Sequence, residues 1–195
     1  MLNAQNATNT YIFKYLGFTF LALILFLVNG CGRVVMKTFV VTDGYNPHFS
    51  FEYPSNYKYN YTPSNSASML VEVIRYLPHS PYMNPFIRIE ILPLGSFGSD
   101  DPELILASDI ASNSKKIGFK IVENGSIIID GVRAKYYVYN YQSVTEGKYD
   151  TVTGKDVVFN HDDFTWKIWI NYDSLYADKV EPDIDHFEKT FKLLP

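Results

Sequence analysis

Strict alternation of apolar and polar residues recurs along this chain. Over residues 48–53, Phe49, Phe51 and Tyr53 oppose His48, Ser50 and Glu52. Over 86–92, Ile87, Ile89 and Ile91 oppose Phe86, Arg88, Glu90 and Leu92, and the Ile face reads as the core face. Over 164–172, Trp166, Ile168 and Ile170 share one face while Lys167, Trp169 and Asn171 share the other. Period two marks a strand with two unlike faces. Shorter runs predict further strands at 39–41, 68–77, 119–123, 126–130, 132–141 and 156–160, while Tyr57, Tyr59 and Tyr61 alternate as either a further strand or an exposed aromatic edge. Asn124-Gly125 is a two-residue hairpin signal, and His161-Asp162-Asp163 forms an acidic turn between two strands. Residues 142–154, polar and glycine-bearing, read as an exposed loop.

Two segments switch to helical spacing. Asp101-Pro102-Glu103 supplies an N-cap, a proline for the first turn and an acid at the positive dipole end. Leu104, Ala107, Ala111 and Ser114, with Ile110 and Ile117 beside them, form the expected packing stripe, and Gly118 the stop. Pro182 is expected to open a second helix with Ile184, Phe187 and Phe191 as its core stripe. Strands, a helix, a run of hairpin-linked strands and a final helix predict an α+β fold: an antiparallel sheet flanked by helices as an α/β/α sandwich.

The front end is different in kind. Residues 16–28 carry no charge, and as a helix at about 1.5 Å per residue they span about 20 Å, short of a bilayer core of roughly 30 Å. Preceded by Lys14, this run has the length of a signal-peptide apolar region. Val28-Asn29-Gly30-Cys31 resembles the bacterial lipobox, with Asn29 standing where Ala or Ser is usual. The resemblance implies that Cys31, the single cysteine, is the lipid attachment site. The expected organisation is a lipoprotein signal peptide at 1–30, a lipidated tether at 31–38 and a globular domain at 39–195. Three alternatives stay open: ordinary cleavage leaving a free Cys31, an uncleaved membrane helix, and a buried segment of the domain itself.

Composition narrows the partners. The 195 residues carry a net charge of −4 and no cluster of Lys or Arg, so nothing marks a nucleic-acid surface. With Cys31 consumed by lipid, the domain has no disulfide, and burial alone must hold it. Sixteen Tyr and fourteen Phe suit strands with one wet face.

Several of these features together resemble the PsbP-like family. They are the aromatic strand ending in Tyr53-Pro54-Ser55, the mid-chain helix before Ile129-Asp130-Gly131-Val132, and Lys167-Ile168-Trp169-Ile170 ahead of a helix carrying Phe187 and Phe191. The resemblance spans residues 49–194. It implies an antiparallel sheet between helices and a non-enzymatic protein that supports a membrane protein complex. Calcium or manganese enters only through this resemblance; the residues themselves imply no cofactor.

Candidate chemistry is sparse. His161, Asp162 and Asp163 are weak candidate ligands for Ca²⁺, Mn²⁺ or Zn²⁺, against the plainer reading of a solvated turn. Asp183, Asp185 and His186 form a second, weaker cluster. The sequence has no Gly-x-Ser-x-Gly elbow, P-loop or dinucleotide-binding glycine pattern. The expected function is therefore a lipid-anchored, extracytoplasmic protein on the outer face of the cytoplasmic membrane that binds or supports a membrane protein complex. A small-molecule or divalent-metal binding protein is the alternative, and an unrecognised hydrolase the least favoured. A pocket holding carboxylates of shifted pKa is the feature that revives the enzyme reading.

Overall fold

The computed structural model describes residues 34–42, 47–63, 69–77, 84–145 and 147–195. The predicted signal peptide and Cys31 lie outside the described residues. The elements in chain order are β1 (Met36–Val41), β2 (Phe49–Pro54), β3 (Tyr57–Pro63), β4 (Met69–Arg75), β5 (Phe86–Pro93) and α1 (Pro102–Asn113). Then follow β6 (Lys120–Ile129), β7 (Val132–Thr145), β8 (Lys148–His161), β9 (Phe164–Asp173), a 3₁₀ turn (Ser174–Tyr176), α2 (Ala177–Thr190) and β10 (Lys192–Leu193).

Seven strands form one antiparallel sheet in the order β3-β4-β5-β9-β8-β7-β6. A second sheet of three strands has the order β1-β2-β10. Helix α1 packs on β7 and β8, while α2 packs on β2 and β9. The fold is α+β as expected, but the layer opposite α1 combines α2 with the small sheet. Among the described residues no helix is long and apolar enough to cross a membrane.

The alternating strands read from the sequence place their apolar faces as expected. Ile87, Ile89, Ile91, Trp166, Ile168 and Ile170 enter one core with Phe49, Phe51, Phe187 and Phe191. Its centre is aromatic: Phe49 meets Trp166 edge-on at 5.3 Å, and Phe51 meets Phe187 at 5.0 Å. Such pairs contribute about 0.5–1.5 kcal/mol each beyond burial. A smaller core of Ile105, Leu106, Tyr137, Tyr139 and Val158 lies under α1.

Four expectations are corrected. Asn124-Gly125 does not turn the chain; β6 runs through it, and the two-residue turn is Asp130-Gly131, both with positive φ. Gly125 instead faces the Tyr136 ring, where a Cβ would stand 3.3 Å from the nearest ring carbon. Residues 142–154 are not a loop: β7 and β8 stay paired as far as Thr145 and Lys148 in one long ribbon. Helix α2 starts at Ala177, with Pro182 inside it. Val180, buried with Ile184 and Phe187, extends the apolar stripe one turn earlier and holds the helix across the lost proline hydrogen bond.

The fourth correction concerns α1. Its N-cap is as expected, Asp101 Oδ1 accepting from the Glu103 amide at 2.8 Å. Its phase is not: Ile105 and Leu106 are buried, whereas Leu104 and Ile117 are exposed. The inward face continues through Asp109 and Asn113, polar residues that a hydrophobic stripe search passes over. Ile105→Ala is therefore expected to cost about 2–5 kcal/mol and Leu104→Ala within about 0.5 kcal/mol, measured by urea denaturation; equal effects would restore the expected phase.

Candidate functional site

Where α1 lies on the sheet it encloses a cavity of about 240 Å³ lined by Phe86, Arg88, Asp109, Ser112, Asn113, Lys116, Tyr139, Asp156, Lys167, Trp169 and Asn171. Strand register builds its floor. Arg88 pairs with Trp169, Trp169 with Asp156 and Asp156 with Tyr137, one row across four strands. The next row runs Phe86, Asn171, Gly154, Tyr139. All project to the face of β9 opposite the aromatic core, because successive side chains alternate.

The floor is charged and buried. Asp156 is 1% exposed and Lys167 4%. Lys167 Nζ reaches Asp109 on α1 at 2.6 Å and lies 4.3 Å from the centre of the Trp169 ring. Asp156 accepts from the Tyr137 hydroxyl at 2.8 Å and from the Tyr139 hydroxyl at 3.3 Å. Asn113 donates to the Tyr137 oxygen at 2.7 Å, tying the helix to the same network. A Cβ on Gly154 would stand 2.3 Å from Tyr139 Cζ, so only glycine lets that ring lie across β8.

Burial sets the ionisation of these groups. Loss of solvent pushes the Asp156 carboxyl up to about 6, against the downward pull of the tyrosine hydroxyls and Lys167; Asp109 adds to the rise. Burial, reinforced by the Asp156 charge, raises both tyrosines far above their ordinary value, so they remain donors. Burial lowers Lys116, whose ammonium sits 4.1 Å from the Tyr141 ring centre at the cavity mouth.

The sequence candidates lie elsewhere. His161 and Asp162 are at the β8–β9 turn, 3.4 Å apart. Among the described residues no three His, Cys, Asp or Glu side chains are grouped to hold a metal ion. Asp183 is engaged by Tyr57 and Arg75, both at 3.0 Å, and His186 by Glu52 at 2.7 Å, so that cluster is divided between two neighbours. The face Lys167, Trp169, Asn171 was legible in β9, but its partners Asp109 and Asp156 lie 58 and 11 residues before Lys167 in sequence, and only the fold joins them. The one local signal was Gly154, a glycine between strongly β-forming segments.

No protein-family model matches the chain, and no curated protein does. Solved structures do. LpqN of Mycobacterium tuberculosis, involved in cell envelope biogenesis, matches over 82% of this chain and 92% of its own, at 18% identity and a TM-score of 0.54. Cyanobacterial PsbP from Synechocystis matches over 85% and 96%, at 11% identity and a TM-score of 0.51. The Ran-binding protein Mog1p of Saccharomyces cerevisiae matches over 83% and 96%, at 11% identity and a TM-score of 0.52. The chain thus has the PsbP/Mog1-like fold, as its motifs implied.

The raised Asp156 pKa has a stability consequence. A carboxyl shifted from 3.8 to about 6 withholds about 3 kcal/mol when ionised. Its contribution is fully present below about pH 4 and is lost as pH rises through about 6. Asp156→Asn is expected to gain about 2 kcal/mol on wild type between pH 4.5 and 7.5, read as the change in their difference by urea denaturation; a pH-independent difference contradicts the assignment.

Proposed function

We propose that this chain is a non-enzymatic binding protein of the cell envelope, lipid-anchored through Cys31 on the outer face of the cytoplasmic membrane, where it supports a membrane protein complex. Its α1 cavity is the recognition site. The observation that carries this reading is that the cavity's charged floor is locked: Lys167 on Asp109, and Asp156 under two tyrosine hydroxyls. Groups held this way shape a site for recognition and leave no nucleophile paired with a base. Support also comes from the fold, shared with an envelope-biogenesis protein and a Ran-binding protein.

One observation favours a second reading, an unrecognised hydrolase: Asp156 titrates near 6 inside a cavity. The two diverge on substrate panels. Turnover of an ester or glycoside by the purified chain, abolished in Asp156→Asn, would replace the binding reading.

The anchor has its own test. Cys31→Ser is expected to release the protein from membranes and to abolish incorporation of labelled palmitate, followed by fractionation and autoradiography. Retention of the variant in membranes means that residues 16–28 stay as an uncleaved helix. Crosslinking in native membranes with mass spectrometry should recover a reproducible membrane protein partner; recovering none contradicts the supporting role.

A further inference from the structure

The α1 cavity has hydrogen-bond donors in excess, and this defines what it can hold. Its two carboxylates are already engaged by the protein. Asp156 receives Tyr137 and Tyr139, and Asp109 receives Lys167. The carbonyls at the end of α1 are also engaged: Ile110 by the Ser114 amide, Ala111 by the Ser114 hydroxyl, Ser112 by the Lys115 amide and Asn113 by the Lys116 amide. The helix end therefore presents no open row of carbonyls to a ligand. Among the described residues no carboxylate lies within ion-pair distance of Lys116; its ammonium rests on the faces of Tyr141 and Tyr139. Asn113 retains a second amide hydrogen beyond the one given to Tyr137.

Charge and shape narrow the class. Arg88 is held by Glu72 and Lys167 by Asp109, so Lys116 is the lining cation with no carboxylate in ion-pair distance among the described residues. A monoanion pairs with it, whereas a dianion beside Asp156 is left unbalanced. The cavity is several times larger than one oxyanion, and Phe86, Trp169 and Tyr139 give it an aromatic wall for an organic body. We propose that this cavity receives a small organic carboxylate, its anionic group at Lys116 and its body against Trp169 and Phe86. The inference rests on the binding-protein reading above and specifies its ligand.

Binding is coupled to protons through Asp156. The groups facing Asp156 are Tyr137, Tyr139 and Tyr141 from β7, Lys167 and Trp169 from β9, Asp109 from α1 and Lys116 from the turn after it; Arg88 and Glu90 stand on β5. An incoming carboxylate adds negative charge beside Asp156 and favours its protonated form, so affinity rises as pH falls from 7.5 to 5.5. The ligand's own carboxyl remains largely ionised over that range.

The chain's second tryptophan supplies the readout, because Trp166 is buried in the opposite core and only Trp169 faces the cavity. The experiment titrates the full-length chain in detergent with benzoate, with an N-acetyl amino acid and with a short peptide bearing a free C-terminus. Each is matched by its neutral amide, and inorganic phosphate is run in parallel, all by tryptophan fluorescence and calorimetry. The carboxylates are expected to bind at least tenfold tighter than their amides, and tighter at pH 5.5 than at 7.5. Lys116→Met should lose at least tenfold while Lys116→Arg retains binding, and Asp156→Asn should flatten the pH dependence. A peptide that outcompetes the free acids identifies a partner chain as the source of the carboxylate; free acids binding as well identify a metabolite. Amides that bind equally, phosphate that binds tighter, or a neutral effect of Lys116→Met in a folded variant overturns the carboxylate assignment but leaves the binding reading. Absence of binding by every probe, together with turnover of an ester, overturns both.

Discussion

The ion pair between Lys167 in the sheet and Asp109 on α1 fixes how the helix is turned. Lys167 is buried and Asp109 partly so, and removing the carboxylate leaves an uncompensated buried charge that costs up to about 3–5 kcal/mol. With Asp109 held inward, Asn113 four positions on follows to the same side of the helix, and Lys116 stands in the turn that follows it. Asn113 then closes the hydrogen-bond network over Tyr137, and Lys116 stands at the cavity mouth. One buried contact thus sets the depth, lining and charge of the site.

The two faces of the large sheet divide the work. On one side Trp166, Phe49, Phe51, Phe187 and Phe191 interlock with almost no exposure, and this burial supplies the stability that no disulfide provides. On the other, the same strands present Asp156, Lys167, Asn171 and Trp169 to α1. A buried polar network is costly unless its members are satisfied. Here the tyrosine hydroxyls, Asn113 and Asp109 provide the partners. The apolar core allows the opposite face to carry the charges that line the cavity.

Much of the fold was legible because burial and periodicity coincide in β2 and β5, because β9 alternates in residue type, and because Asp101-Pro102 caps a helix through purely local chemistry. The failures share a cause. Helix α1 buries Asp109 and Asn113 against charged strands, so its apolar residues do not mark its inward face. Asn124-Gly125 and Asp130-Gly131 carry the same turn chemistry, and pairing with β7 decides between them. Pro182 looks like a helix start until Val180 is known to be buried. The site was the least legible part, since its floor is assembled from β5, β7, β8 and β9 by register and its wall from a helix distant in sequence. Gly154 was its one local trace, and it acquires meaning only when Tyr139 is seen lying across it.

The proposed site centres on one buried carboxyl, that of Asp156. The most direct measurement is the pH titration of the Asp156 side-chain carboxyl by carbon-13 NMR, without and with saturating benzoate. The structure predicts a midpoint near 6 in the free protein, displaced upward when the carboxylate binds. A midpoint near 4, the ordinary carboxylate range, unmoved by benzoate, would contradict both the burial of Asp156 and its coupling to the site.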